Sequence, residues 1–424
     1  MSMSTLVQTE VRKFLRHELV PVVDDLNERG EFPEKIFRAF FKAGYGASFM
    51  PEHWGGDGDF LSYLRTAEEM GRIDCGFALS VMASSVLFGN NVLLHGTEAQ
   101  KQKFIPPIID GSKIGCWALT EPSGGSDAIG IKTMAEKQGS AYILNGSKTF
   151  ITNAPVAEFF IIIARLKGTE NQGIEGGCAF LLERGVNGLS ELPGLSTGKP
   201  LKKMGHKTSP TGEIFLENCK VPATALLGRE GKAFYDMKAS LDLERASFSA
   251  IGLGLVDELL GIMVKYAASR QQFGKPILEY QLIQDKIAQV SAEFEALKAY
   301  CSQVIQKILR KERCTKDAAI MKYLLSRLVV KAADEAIQVL GGYGYMTEYR
   351  VERYYRDAKL YEIGGGTSEI QKVIIAKEVA KEILAGTEVI GGFAGECTAG
   401  TRAGSASDNA RCVGDKKGRK SDTI

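Results

Sequence analysis

The chain has 424 residues, 44% hydrophobic and 25% charged, and its 53 Lys and Arg against 51 Asp and Glu leave a formal net charge of +2. That length supports two or three domains with a sizeable interior, and the composition excludes a wholly disordered, collagen-like or disulfide-stapled chain. The near-balanced charge lacks the basic footprint of a nucleic-acid binder, so no nucleic-acid partner is expected.

In chain order, MSMSTLVQTEVRKFLRHELVPVV carries charges every few residues and no apolar core of signal-peptide length, so it reads as an amphipathic helix. Apolar residues at three- and four-residue intervals continue this pattern from Leu6 to about Gly111, through VRKFLRHELVPVVDDL, FPEKIFRAFFKAGY and DFLSYLRTAEEMGRI, with one break at Gly55, Gly56 and Gly58. From about Ile114 the period shortens: AYILNG, FFIIIARL, CAFLLE and GEIFLENCKV, separated by Gly, Asn, Pro and Thr, read as strands. Helical spacing returns at about Gly231 and persists to Ile383, and long helices with few breakers imply a bundle.

The expected fold class is therefore α+β, with an N-terminal helical domain (1–114), a middle β-barrel-like domain (115–228) and a C-terminal four-helix-bundle domain (229–385). Residues 386–424 are rich in Gly, Ala, Ser and Thr, and are expected to be a disordered tail because they bring too little apolar surface to offset ordering. The most apolar stretches, 86–95 and 156–164, are short of the ~18 residues of a membrane span, so none is expected. Eight scattered Cys without a C-x-x-C pair, and only four His, argue against a metal site or a disulfide framework and for a reducing, cytoplasmic location. GGYGYMT (Gly341 to Thr347) lacks the strand-then-helix setting of a dinucleotide fingerprint, and GLSTGKP (Gly194 to Pro200) is one residue short of a phosphate loop.

Four other segments carry more chemistry: WALTEPSGGSD (Trp117 to Asp127), NGSKTFITNA (Asn145 to Ala154), RQQFGKPI (Arg270 to Ile277) and RDAKLYEIGGGTSEIQ (Arg356 to Gln371). Taken singly they have plain readings. The first two are rich in residues that favour sheet-corner turns, Arg270 suits a helix C-terminus, and Gly341–Gly342 suits a C-cap. Together, in this order between helical, β and helical regions, they resemble the acyl-CoA dehydrogenase family over about residues 5–384, nearest to the isovaleryl-CoA dehydrogenase-like subgroup.

The resemblance implies an FAD cofactor. By that likeness the main chain at Trp117 and Leu119, with the Thr120 hydroxyl, meets the flavin pyrimidine edge. Ser126 meets the pyrophosphate and lies near the CoA entrance, Phe150 stacks beside the ring system, and Thr152 reaches flavin N5. Arg270, Gln272 and Phe273 match a loop that covers the FAD of a second subunit; Gln338, Gly341 and Gly342 match a second cross-subunit element, and Thr367 and Glu369 the segment near the AMP half. A composite site of this kind implies a homotetramer, built as a dimer of dimers. Ser126 and Arg245 are the expected substrate contacts.

The base position departs from the commonest family pattern. Many relatives carry the proton-abstracting Glu in a Tyr-Glu-Gly-Thr run, and that position here is Gly365, which keeps the backbone N–H for the substrate carbonyl but has no carboxylate. The isovaleryl-like subgroup takes its base from an LDLER helix, present here at Leu241 to Arg245, which makes Glu244 the candidate and Glu362 its rival. Spacing points the same way. Leu241, Phe248, Ile251, Leu255 and Leu259 form an apolar stripe in which Glu244 fills the missing place, although a buried ion pair or a first-turn acid would also account for it. A thioester α-proton needs a desolvated base and hydrogen bonds to the enolate oxygen. The expected reaction is α,β-dehydrogenation of a short or branched acyl-CoA to the trans-2-enoyl-CoA, the β-hydride going to flavin N5 and the electrons to an electron-transfer flavoprotein. A flavin oxidase or monooxygenase, a carrier-protein-linked biosynthetic dehydrogenase, and a non-enzymatic assembly factor on the same fold are the alternatives.

Overall fold

The structure is a computed structural model that describes residues 3–185 and 192–386. The first seven helices are α1 (Met3–Glu18), α2 (Val23–Arg29), α3 (Glu34–Lys42), α4 (Phe60–Ile73), α5 (Cys75–Met82), α6 (Asn90–His95) and α7 (Glu98–Ile109). The first amphipathic run divides in two around Pro21, which has no N–H to continue a helix. Side chains set the next starts: Asp59 accepts from the Leu61 and Ser62 N–H groups at the head of α4, and Asp74 accepts from Phe77 N–H at the head of α5. Between α5 and α6, Ala83–Gly89 is a turn of π-helix, and the Asn90 N–H reaches back to the Ser85 carbonyl.

The strands are β1 (Gly115–Ala118), β2 (Met134–Gln138), β3 (Ala141–Thr152), β4 (Phe159–Leu166), β5 (Gly177–Glu183), β6 (Leu195–Thr197), β7 (Thr211–Pro222) and β8 (Leu226–Leu227). They form one eight-stranded sheet in the order β6-β7-β3-β2-β4-β5-β8, with β1 parallel to β4. Strand periodicity makes β4 serve two interiors. Phe159, Ile161 and Ile163 join the core shared with the helices, while Phe160, Ile162 and Ala164 join a second core inside the β region. This explains why FFIIIARL reads as a continuous apolar run rather than an alternation.

After the sheet come α8 (Ala233–Ser269), a hairpin of β9 (Gln271–Gln272) and β10 (Lys275–Pro276), α9 (Gln281–Leu309), α10 (Thr315–Leu340), α11 (Val351–Ile363) and α12 (Ser368–Leu384). Helices α8 to α11 pack on one another, and α8 also packs against α4. Glycines permit that second crossing: a Cβ on Gly254 would stand 1.9 Å from the Glu68 carbonyl oxygen, and one on Gly71 would stand 2.0 Å from that of Ile251. The mixed α+β architecture is as expected. The expected tail, 386–424, lies outside the described residues apart from Gly386.

One expectation is corrected. Among the described residues two helical stretches, Cys75–His95 and Ala233–Ser269, are long and apolar enough to cross a membrane. Isolated Ser and Asn residues break the runs that a count of consecutive apolar residues looks for, but barely lower the average. The apolar windows are 78% and 67% buried inside the protein, as core helices are.

Candidate active site

Glu244 lies near the start of the long helix α8, half-buried, and makes no hydrogen bond to any described residue. Facing it is the turn between α11 and α12. Gly365 in that turn has φ +63°, and a Cβ built on it would meet one neighbour, Glu244 Oε1, at 3.5 Å. The turn is held by side chains: Gln371 Nε2 donates to the carbonyls of Gly365 (3.3 Å) and Gly366 (3.1 Å), and Lys322 Nζ donates to Gly366 O at 2.7 Å. Desolvation pushes the Glu244 carboxyl above the ordinary 4.5, with the nearby charges of Arg245 and Lys322 pulling the other way. The rival Glu362 is instead tied to Lys359 Nζ at 2.6 Å. Arg245 is buried against Asp242 (3.1 Å), and its Nε has no partner among the described residues. One turn beyond Glu244, Phe248 stacks on Tyr361 with ring centroids 4.4 Å apart.

The two β segments come together as well. The Thr149 N–H donates to the Thr120 carbonyl at 2.9 Å, and buried Lys148 reaches across to the Leu119 carbonyl (3.0 Å) and to Glu121 (2.7 Å). Trp117, Leu119, Thr120 and Thr152 are each half-buried along this seam. Next to Thr152, fully buried Asn153 donates from Nδ2 to the carbonyls of Ser80 (2.9 Å) and Gly115 (3.2 Å), tying the seam to α5. Phe150 sits at a register shift between β3 and β7 with φ +57°, its side chain 69% exposed. Ser126 is exposed in the loop after β1.

A third cluster is an open cleft of about 490 Å³ lined by Tyr266, Arg270, Gln272, Gly341, Gly342 and Tyr343. The Arg270 guanidinium lies over the Tyr343 ring at 5.6 Å and faces the cleft. Gly341, with φ +61°, ends α10 and gives its N–H to the Ile337 carbonyl, so it does cap the helix while lining the cleft. Phe273, at the tip of the β9–β10 hairpin, is 94% exposed, and Gln338 is exposed on the last turn of α10. Thr367 caps α12, its Oγ1 accepting from Ile370 N–H at 3.3 Å, while exposed Glu369 lies 3.7 Å from Lys372. Sequence reasoning missed Lys148, Asn153, Lys322 and Gln371. Lys322 alone had a readable signal, a lysine in the buried stripe of α10 with Leu325, Val329 and Ala332.

Comparison with known proteins agrees with this geometry. The acyl-CoA dehydrogenase N-terminal, middle and C-terminal domain families match residues 3–112, 116–219 and 231–380. The chain is 37% identical over 378 residues to the mitochondrial isovaleryl-CoA dehydrogenase of Arabidopsis thaliana, covering 88% of this chain and 90% of that one. Butyryl-CoA dehydrogenase from Megasphaera elsdenii superposes with a TM-score of 0.85 at 35% identity, covering 90% of this chain and 98% of that one. The prolyl acyl carrier protein oxidase AnaB superposes with a TM-score of 0.84 at 32% identity, covering 89% and 99%. On these matches the chain belongs to the acyl-CoA dehydrogenase family, whose members are FAD-dependent oxidoreductases.

Proposed function

We propose that this protein dehydrogenates a short or branched acyl-CoA between its α- and β-carbons, with Glu244 taking the α-proton. The observation that carries the reading is the 3.5 Å between Glu244 Oε1 and the Cβ position of Gly365. An acid from α8 thus fills the space into which a side chain at 365 would project.

The residues present fit the FAD of this family. Arg270 and Gln272 offer donors in the 490 Å³ cleft, and a Cβ on Gly341 or Gly342 would meet nothing within 4 Å, which leaves backbone open to a close-lying pyrophosphate or ribose. Trp117, Leu119, Thr120 and Thr152 would hold its ring system along the β1–β3 seam, with Phe150 and Ser126 at the margins, and Gln338, Thr367 and Glu369 would serve the adenosine half. When bound, FAD would supply the acceptor for the β-hydride, which carries both electrons of the oxidation. The open cleft and the nearly bare Phe273 ring support a site completed by a second copy, and we infer a homotetramer.

The chain's own work is to bind and orient the thioester and to move one proton. Glu244, raised by desolvation, accepts the α-proton at its carboxylate oxygen. The Gly365 N–H, fixed by the hydrogen bonds from Gln371 and Lys322 to the turn's carbonyls, is the donor for the thioester oxygen as negative charge grows there. Ser126 and Arg245 are the proposed substrate contacts, and an electron-transfer flavoprotein the acceptor that restores the enzyme.

Anaerobic titration of the purified holoprotein with a panel of acyl-CoAs tests the reading. Short or branched acyl-CoAs should bleach oxidised-flavin absorbance in the wild type, and Glu244→Gln should keep its FAD and lose at least ~100-fold in bleaching rate. A Glu244→Gln enzyme as fast as the wild type would refute the assignment. The likeness to a carrier-protein oxidase favours a second reading, which rapid oxygen consumption with a carrier-protein thioester, and none with acyl-CoA, would establish.

A further inference from the structure

Lys322 is 1% exposed in the middle of a helix bundle, yet it forms no direct ion pair among the described residues. Its ammonium makes one hydrogen bond, to the Gly366 carbonyl at 2.7 Å. A buried cation with a single neutral acceptor is costly and calls for a compensating charge. The charged groups facing it from the elements packed around it are Glu244 and Arg245 on α8, Glu362 on α11 and Glu369 on α12. Glu362 is occupied by Lys359, Glu369 lies out in solvent beside Lys372, and Arg245 is paired with Asp242. Glu244 alone among them has neither a hydrogen bond nor an ion pair.

Resting on the reading of Glu244 as base, we propose that Lys322 is a positioning residue with two linked tasks. Its ammonium holds the Gly366 carbonyl, and so fixes the turn whose Gly365 faces Glu244, and its charge keeps that half-buried carboxylate ionised. Burial disfavours the charged form of each group alone: it raises the Glu244 carboxyl and pushes the Lys322 ammonium down to about 8 from 10.5. Each charge offsets the other's desolvation, so removing the lysine strands the carboxylate, which then takes up a proton before substrate arrives.

Lys322→Gln keeps a donor for Gly366 and removes the charge; Lys322→Arg keeps the charge. In the glutamine variant the acid limb of the pH profile of flavin bleaching should move up by about one unit or more, a loss of about tenfold on the acid side of both limbs that shrinks through neutral pH and is regained in alkali. Lys322→Arg should restore most of the neutral-pH rate. Isotope-edited infrared titration without substrate gives an activity-independent readout: the protonated-carboxyl band that Glu244→Gln deletes should persist to higher pH in Lys322→Gln. A folded, FAD-replete Lys322→Gln with an unmoved band and limb overturns the proposal. If that variant does not fold, the proposal requires Lys322→Gln combined with Glu244→Gln to fold, since the stranded carboxylate is gone; an unfolded double variant also overturns it. Full activity in Glu244→Gln would refute the base assignment instead, and the infrared band would still judge Lys322.

Discussion

Moving the acid from α8 to the α11–α12 turn is a direct trial of the site's geometry. In the double variant Glu244→Gly with Gly365→Glu, the new Cβ stands 3.5 Å from where Glu244 held its oxygen. A glutamate carboxylate oxygen lies about 3–3.6 Å from its own Cβ, so the new side chain has the reach to refill that point. Both changes are needed, because Gly365→Glu alone would crowd two carboxylates into one space and force one of them to stay protonated. The backbone exacts a cost: φ at Gly365 is +63°, left-handed, where a side chain costs about 1–2 kcal/mol. The double variant should therefore melt a few degrees lower. Glu244→Gly should lose about 10²–10⁴-fold in flavin bleaching, and the double variant should regain at least about tenfold of that, short of wild type because alignment tolerates little error. Anaerobic stopped-flow bleaching over the acyl-CoA panel measures it. A folded, FAD-replete double variant no faster than Glu244→Gly on every acyl-CoA would refute the idea that the two positions serve one α-carbon.

The acid limb of kcat/KM should lie above the ordinary carboxylate value of 4.5, activity falling as pH drops and Glu244 protonates; a limb at or below that value contradicts a desolvated base. Arg270→Ala should lower FAD retention on dilution, with activity returning when excess FAD is added, and unchanged flavin affinity would confine Arg270 to its stacking on Tyr343. Lys148→Met should cost about 3–5 kcal/mol in urea unfolding by leaving Glu121 buried without its partner, and Lys148→Met with Glu121→Gln should recover part of it; additive losses would show that the pair is not coupled.

Much of this was legible because the hydrophobic period survives wherever an element buries one face. Glu244 could be found as an acid interrupting an apolar stripe, and the structure gives the interruption a neighbour in Gly365. Lys322 interrupts the stripe of α10 in the same way and was passed over, since a lysine in a helix ordinarily reads as a solvated face. Lys148 and Asn153 were out of reach for another reason. They bond the carbonyls of Leu119, Ser80 and Gly115, and a backbone acceptor leaves no mark in a sequence, while the Lys148–Glu121 pair joins residues that no local spacing links. Phe150, expected to stack beside a flavin ring, stands exposed at a positive-φ bulge, and the register shift that presents it is announced by no residue pattern.

The π-helical turn at Ala83–Gly89 bears on how this chain tolerates changes of length. A π turn amounts to one residue more than an α-helix would spend on the same rise. Deleting a single residue there would close the wide turn to ordinary α spacing, leaving Asn90 onward in its orientation but rewinding the side chains of the turn itself. Phe88, wedged in the core against Phe104 and Phe159, and Ser84, which receives the Gly115 N–H at 3.0 Å, lie within the turn that would be rewound. The strand leading to Trp117 hangs from that serine. A frame-preserving deletion in this stretch should thus disturb a distant cofactor strand more than a bulky substitution on the outer helices would, and gene libraries that vary length should show an empty interval there.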